Sequence, residues 1–152
     1  MAAMFARLHS GITLLELLCS LAIMGLLLGM VAVPIARAGD VLATRAARAA
    51  ILNAAATARA LAPSHGGASL SISAPDGIIV VAARDSSVAD TLARLASQFR
   101  VEVAFDDARL GAASIRFDAL GLGRLASRTI RLRRGSVTAG VTFSAYGRAR
   151  PW

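Results

Sequence analysis

Residues 11–35 read GITLLELLCSLAIMGLLLGMVAVPI, and this stretch decides the fold. From Ile12 to Ile35 the only clearly polar side chains are Thr13, Glu16 and Ser20, and between Leu17 and Val33 only Ser20 breaks the apolar run. As a helix the segment spans about 36 Å, enough to cross a bilayer core of about 30 Å. Arg7 precedes it and Arg37 follows it. The basic flank on the N-terminal side keeps that end cytoplasmic, with Arg37 as a competing flank. The expected object is a membrane-inserted N-terminus carrying a small domain behind it. Glu16 needs its own reason, because a carboxylate in the bilayer is expensive and marks function.

Three readings of the segment compete. Ala36-Arg37-Ala38 matches a small-x-small cleavage site, so an ordinary signal peptidase would release a secreted domain after Ala38. The apolar run, however, is longer than a usual signal core. A plain membrane anchor accounts for the length but leaves Glu16 unexplained. The third reading accounts for both. Gly11-Ile12-Thr13-Leu14-Leu15-Glu16 resembles the processing site of type IV prepilins and type II secretion pseudopilins. The short basic leader Met1–Gly11, Ala22, Gly25 and Pro34 extend the likeness. Ile12 stands where Phe is usual, and Pro34 lies one position later than is common.

The resemblance implies cleavage after Gly11 by a prepilin peptidase and methylation of the new amine on Ile12. It implies that Glu16, fifth in the mature chain, pairs with the N-terminal amine of a neighbouring subunit. A buried carboxylate needs such a cationic partner. It implies a helix kink at Pro34. Its partners would be the peptidase, other pilins or pseudopilins through their N-terminal helices, and the inner membrane, crossed once with the C-terminal domain in the periplasm.

The next stretch is Ala-rich with spaced Arg45, Arg48 and Arg59, both good helix formers. Asp40 after Gly39 reads as a local helix cap or restart. Leu42, Ala46, Ala49, Leu52 and Ala56 recur at three- and four-residue spacing and make one apolar face. Pro63-Ser64-His65-Gly66-Gly67 ends the helix. The expectation is one kinked helix from Ile12 to about Leu61, roughly 75 Å long.

Beyond it the periodicity changes to two. Leu70 and Ile72 alternate with serines, Pro75-Asp76-Gly77 is a turn, and Ile78–Ala83 is a buried-type strand. Ser87 followed by Asp90 resembles a capping box, and Val88, Leu92, Leu95 and Phe99 then read as a short amphipathic helix. Val101–Phe105 and the pair Ile115/Phe117 read as strands, the second closed by Gly121-Leu122-Gly123. Thr129–Arg133 puts Ile130 and Leu132 on one face and Arg131 and Arg133 on the other. After Gly135, Val137, Ala139, Val141 and Phe143 face the core. An antiparallel sheet with one wet face needs a helix on its dry face, and residues 40–62 supply it. The fold class is therefore α+β and pilin-like: a long N-terminal helix, its first half in the membrane, packed on a C-terminal antiparallel sheet. The expected organisation is a leader over 1–11, a transmembrane or fibre-core helix over 12–35, the second half of the long helix over 36–62 and a β-rich domain over 63–152.

Composition excludes several classes of function. The 152 residues are 56% hydrophobic with a net charge of +8, too apolar for a disordered chain. Cys19 is the single cysteine, so no intrachain disulfide forms. His9 leaves with the leader, and His65 is a lone His in a Ser-Gly loop, expected to be solvated. Ser64 beside it does not make a nucleophile–base pair. Asp106-Asp107 reads as a strand-end turn, since Ca²⁺ needs six or more oxygens. Gly121-x-Gly123 lacks the strand-to-helix context of a dinucleotide motif. Neither catalysis, nor a metal, nor a cofactor is expected.

The charge is local. Residues 12–114 carry eight Arg and eight acids, whereas residues 115–152 carry eight Arg against Asp118 alone. The run Ile115-Arg116-Phe117, Thr129-Ile130-Arg131-Leu132, Val141-Thr142-Phe143-Ser144 and Gly147-Arg148-Ala149-Arg150 resembles the GspH/FimT branch of minor pilins and pseudopilins. The likeness is weak over residues 85–109. It implies a subunit that initiates or caps a type II secretion pseudopilus or a type IV pilus. Arg131, Arg133, Arg134, Arg148 and Arg150 form a candidate electrostatic footprint for DNA, because a guanidinium grips phosphate bidentately. Gly147-Arg148-Ala149-Arg150 also resembles the Gly-Arg-x-Arg loop associated with DNA binding in FimT-type minor pilins. That likeness implies phosphate contacts at Arg148 and Arg150 and a role in DNA uptake. A solvated face, or one that docks acidic neighbouring subunits, is the alternative.

Overall fold

The computed structural model describes residues 13–107, 109–124 and 127–152. Gly11 and Ile12, the expected cleavage and methylation positions, lie outside the described residues. The chain divides between Ala36 and Arg37 into two compact units.

In the first unit, Thr13 caps the start of α1 (Leu14–Leu61). Its Oγ1 accepts the Glu16 main-chain N–H at 3.3 Å, and its carbonyl accepts the Leu17 N–H at 3.1 Å. The first bond satisfies a donor that every helix start leaves open. Helix continues through Pro34. An 18-residue window in α1 has a mean hydropathy of 2.4, and none of it is buried. Leu14, Leu18, Leu21, Met24 and Leu28 are all more than half exposed. Apolar exposure of that extent marks a surface that meets lipid or protein.

The second unit, Arg37–Trp152, holds the core. Along its part of α1, Thr44, Ala47, Ile51, Ala54, Ala55 and Ala58 are buried, as is Ala62 just beyond. These residues define a face about half a turn from the expected stripe. Leu42 is 66% exposed, Ala46, Ala49 and Ala56 are exposed, and Leu52 is half-buried. Alanine occupies both faces, so spacing alone admits two solutions. Ile51 anchors the true one. Asp40 is not a cap either: the helix runs through it, and its carboxylate takes the Arg134 Nε at 2.9 Å.

The strands are β1 (Gly67–Ser73), β2 (Ile78–Ala83), β3 (Ala89–Arg94), β4 (Glu102–Phe105), β5 (Ala112–Asp118), β6 (Gly123–Arg124), β7 (Arg128–Arg134), β8 (Val137–Phe143) and β9 (Ala149–Pro151), with α2 (Leu95–Phe99) between β3 and β4. The expected single sheet is two. The first has the order β3-β2-β1-β5-β6 and the second β4-β7-β8-β9, with every pairing antiparallel. Alternation puts Leu70, Ile72, Ile79, Val81, Ile115 and Phe117 of the first sheet, and Ile130, Leu132, Val141 and Phe143 of the second, into one core with the buried face of α1.

Residues 88–99 depart from the reading as a helix. Ala89–Arg94 is strand β3, and only Leu95–Phe99 is helical. Pairing with β2, with Ile79 opposite Ala93 and Val81 opposite Asp90, satisfies backbone groups that β2 would otherwise leave open. Asp90 lies in that strand, and the Ser87 hydroxyl donates instead to Asp85. Of the expected stripe, Leu95 is buried and Phe99 packs on the core from α2, whereas Leu92 in β3 is 41% exposed. Strand β9, in the expected loop around Arg148 and Arg150, pairs Arg150 with Thr142 on β8.

Candidate functional site

Glu16 occupies the first turn of α1 and is exposed. A carboxylate there is favoured by the helix dipole, and Thr13 holds its main chain in place. The side chain stands clear of any core, three residues past the start of the described chain.

The five C-terminal arginines divide by location. The register of the second sheet puts Arg131 opposite Gly140, Arg133 opposite Thr138 and Arg150 opposite Thr142. All three are exposed and share the outer face, opposite the buried Ile130, Leu132, Val141 and Phe143. Two acids from the β4 side reach the same face. Glu102 lies opposite Arg133, and Asp106 Oδ1 meets Arg131 Nη2 at 3.3 Å with both side chains more than half exposed. An exposed pair of that kind contributes little and leaves Arg131 free to exchange partners. Arg134 is engaged inside the domain. Its Nε meets Asp40 at 2.9 Å, and its Nη1 donates to the Phe99 carbonyl at 2.6 Å. With Arg100, Glu102 and Arg133 it lines an open cleft of about 290 Å³.

Arg148 is exposed at the mouth of a smaller cleft, about 200 Å³, beside Leu52, Ala56 and Arg59 of α1. Arg59 fixes the loop that carries it. The guanidinium donates to the Gly121 carbonyl at 3.1 Å and to the Gly147 carbonyl at 2.8 Å, and lies 5.5 Å from the centre of the Phe117 ring. Gly147 has a φ of +76°, and a Cβ there would stand 2.8 Å from both Gly123 Cα and Phe117 Cε1. Only glycine fits that approach. The loop that carries Arg148 is thus held by a residue outside the C-terminal block, whereas Arg150 is placed by the pairing of β9 with β8.

Trp152 is the residue that the sequence reading passed over. It lies opposite Gly140, each donating its N–H to the other's carbonyl at 3.1 Å. Its ring covers Gly140: a Cβ built on that glycine would come within 2.6 Å of ring atoms. Glycine inside a strand marks such a close approach, and Gly140 was the available signal.

His65 is not simply solvated. Its Nδ1 lies 2.9 Å from Asp85 Oδ2 and 3.1 Å from Ser87 Oγ, and Ser87 Oγ donates to Asp85 Oδ1 at 2.6 Å. The Ser87 hydroxyl, then His65 and the Ser87 N–H, hold the Asp85 carboxyl well below the usual carboxylate range. The three side chains look like a catalytic set but lack its geometry. A relay needs nucleophile and carboxylate on opposite ring nitrogens, whereas both meet Nδ1. The cluster ties the loop after α1 to the β2–β3 turn. Among the described residues no cluster of three or more His, Cys, Asp or Glu is placed to hold a metal.

A family model described as a prokaryotic N-terminal methylation motif matches residues 6–32. No curated protein and no solved structure matches the chain. The motif is that of the type IV pilin and pseudopilin class, and it supports processing by a prepilin peptidase and assembly with other pilins. Motif and exposed apolar helix together fit anchoring in the inner membrane and assembly into a fibre. They point to a structural subunit rather than an enzyme.

Proposed function

We propose that the chain is a minor pilin or pseudopilin of the GspH/FimT kind, cut after Gly11, methylated on Ile12 and assembled into a type II secretion pseudopilus or a type IV pilus. Residues 12–35 anchor it in the inner membrane, residues 36–62 continue the helix, and residues 63–152 form the periplasmic domain. The observation that carries this reading is the methylation motif over residues 6–32, running into an exposed apolar helix with Glu16 in its first turn. Mass spectrometry of the mature protein tests it. A methylated Ile12 at the N-terminus is the expected result. A mature chain beginning at Gly39 would mean an ordinary signal peptide and a released domain, and would end the pilin reading.

A second reading adds DNA contact through the C-terminal arginines. It is favoured by exposed Arg131, Arg133 and Arg150 on one sheet face and by the absence of any acid after Asp118 in the sequence. Arg148 extends that surface at the edge beside α1, and Arg134 supports it from within. Retention of the protein on immobilised DNA should fall as salt rises, since phosphate contacts release counterions. No retention even at low salt would remove this reading and leave the assembly reading intact.

A further inference from the structure

The outer face of the second sheet carries an exposed aromatic ring among arginines. Trp152 is 51% exposed, although its ring rests on Gly140. That support holds one side of the indole against the sheet and leaves the rest to solvent. Arg131 is the cross-strand neighbour of Gly140 on one side. Arg150 stands two residues before Trp152, on the same face of β9 by alternation. From α1, Arg48 Nη1 donates to the Trp152 main-chain oxygen at 3.1 Å. Neither β8 nor β9 contains an acidic residue; from the β4 side, Asp106 reaches Arg131 in the exposed 3.3 Å pair, which an incoming phosphate can replace, and Glu102 lies opposite Arg133.

A large, half-exposed ring resting on a strand glycine is the kind of side chain that protein surfaces use for recognition. Its cationic surroundings select a partner that is both planar and anionic. Duplex DNA offers phosphates but keeps its bases stacked inside. A single strand offers both at once: a base for the ring and flanking phosphates for the guanidinium groups. We propose that Trp152 is a base-stacking platform for single-stranded DNA, flanked by Arg131 and Arg150. The proposal rests on the DNA-contact reading above and narrows it to the strand state and to a stacking residue.

Trp152 is the sole tryptophan, so its emission reports directly on the site. The full-length protein in non-ionic detergent is titrated with oligothymidylate, with a duplex of equal length and with polyglutamate. The expected result is salt-sensitive quenching by the single strand, with little quenching by duplex and none by polyglutamate. Trp152→Leu keeps an apolar cover over Gly140 but removes the aromatic face. It should weaken single-strand binding roughly five- to hundredfold and leave duplex binding unchanged, while Trp152→Phe should retain most of the affinity. Salt-sensitive binding of both DNA forms with Trp152 emission unmoved would overturn the platform and leave the arginine reading standing. Equal quenching by polyglutamate would assign the face to an acidic protein instead. No binding of either DNA form would end both DNA readings.

Discussion

Glu16 and Asp85 are both exposed carboxylates, and their surroundings give them different work. Glu16 sits at the head of an apolar helix, with its main chain held by Thr13 and its side chain exposed; in the proposed fibre it pairs with a neighbouring subunit's amine. Glu16→Ala should therefore leave leader cleavage unchanged, by mobility on a gel, and reduce the protein recovered in sheared fibres. Normal incorporation by that variant would sink the assigned role. Asp85 is held locally by Ser87 and His65. Its folded pKa is lowered, so its contribution to stability is present above the unfolded value, about 3.9, and is lost as pH falls through the folded value. Asp85→Asn should lower the melting temperature at neutral pH, and the gap to the parent protein should begin to narrow below about pH 4 and shrink further as pH falls. A gap that is constant with pH would contradict the link to ionisation. Little of this cluster was legible in the sequence. His65 lies 20 residues from Asp85 in the chain, and only the pairing of β1 with β2 brings their loops together.

At the scale of elements, α1 shows what periodicity conveys and where it stops. Its helical character followed from composition, and its end followed from Pro63 and the glycines after it. Its buried face did not, because alanine lines it on both sides and carries almost no contrast in hydrophobicity. Ile51→Ala should destabilise the domain by about 2–5 kcal/mol, the usual cost of truncating a fully buried aliphatic side chain. Leu42→Ala should change stability by less than about 0.5 kcal/mol. Urea denaturation of both variants measures the difference, and the reverse order would return the buried face to the Leu42 side. Residues 88–99 make the complementary point. A 3.6-residue pattern was present, but the open edge of β2 offered backbone partners that a helix in the same place would have left unmet.

At the scale of the molecule, charge and oil are segregated along the chain. The apolar excess lies in the first unit. The excess of arginine lies after residue 114: Arg116 and Arg124 pair across the first sheet, Arg128 starts β7, and the other five divide over the outer face of the second sheet, one loop and one internal clamp. This distribution limits how many of the arginines act together. Replacing both Arg148 and Arg150 by Ala should weaken duplex DNA retention and lower the slope of log affinity against log salt by about 2, near one for each phosphate no longer neutralised. An unchanged slope would mean that the two residues touch no phosphate. Arg134→Ala should behave differently. Its guanidinium holds Asp40 and the Phe99 carbonyl, so its loss should appear in stability before it appears in binding.

Sequence alone determined the apolar segment, the methylation motif, the long helix and most strands, because each rests on a local property: hydropathy over about 20 residues, a short N-terminal pattern, or alternation along one strand. It also determined where the charge lies along the chain. Only the tertiary structure decided which face of α1 is buried, that the strands form two sheets, and which arginines are free. It also placed Trp152 on Gly140 and Arg59 on the Gly147 loop. The physical reason is the same in each case. These contacts join residues distant in the chain through backbone pairing and close packing, and a glycine or an alanine discloses such a contact only when its neighbour across the fold is known.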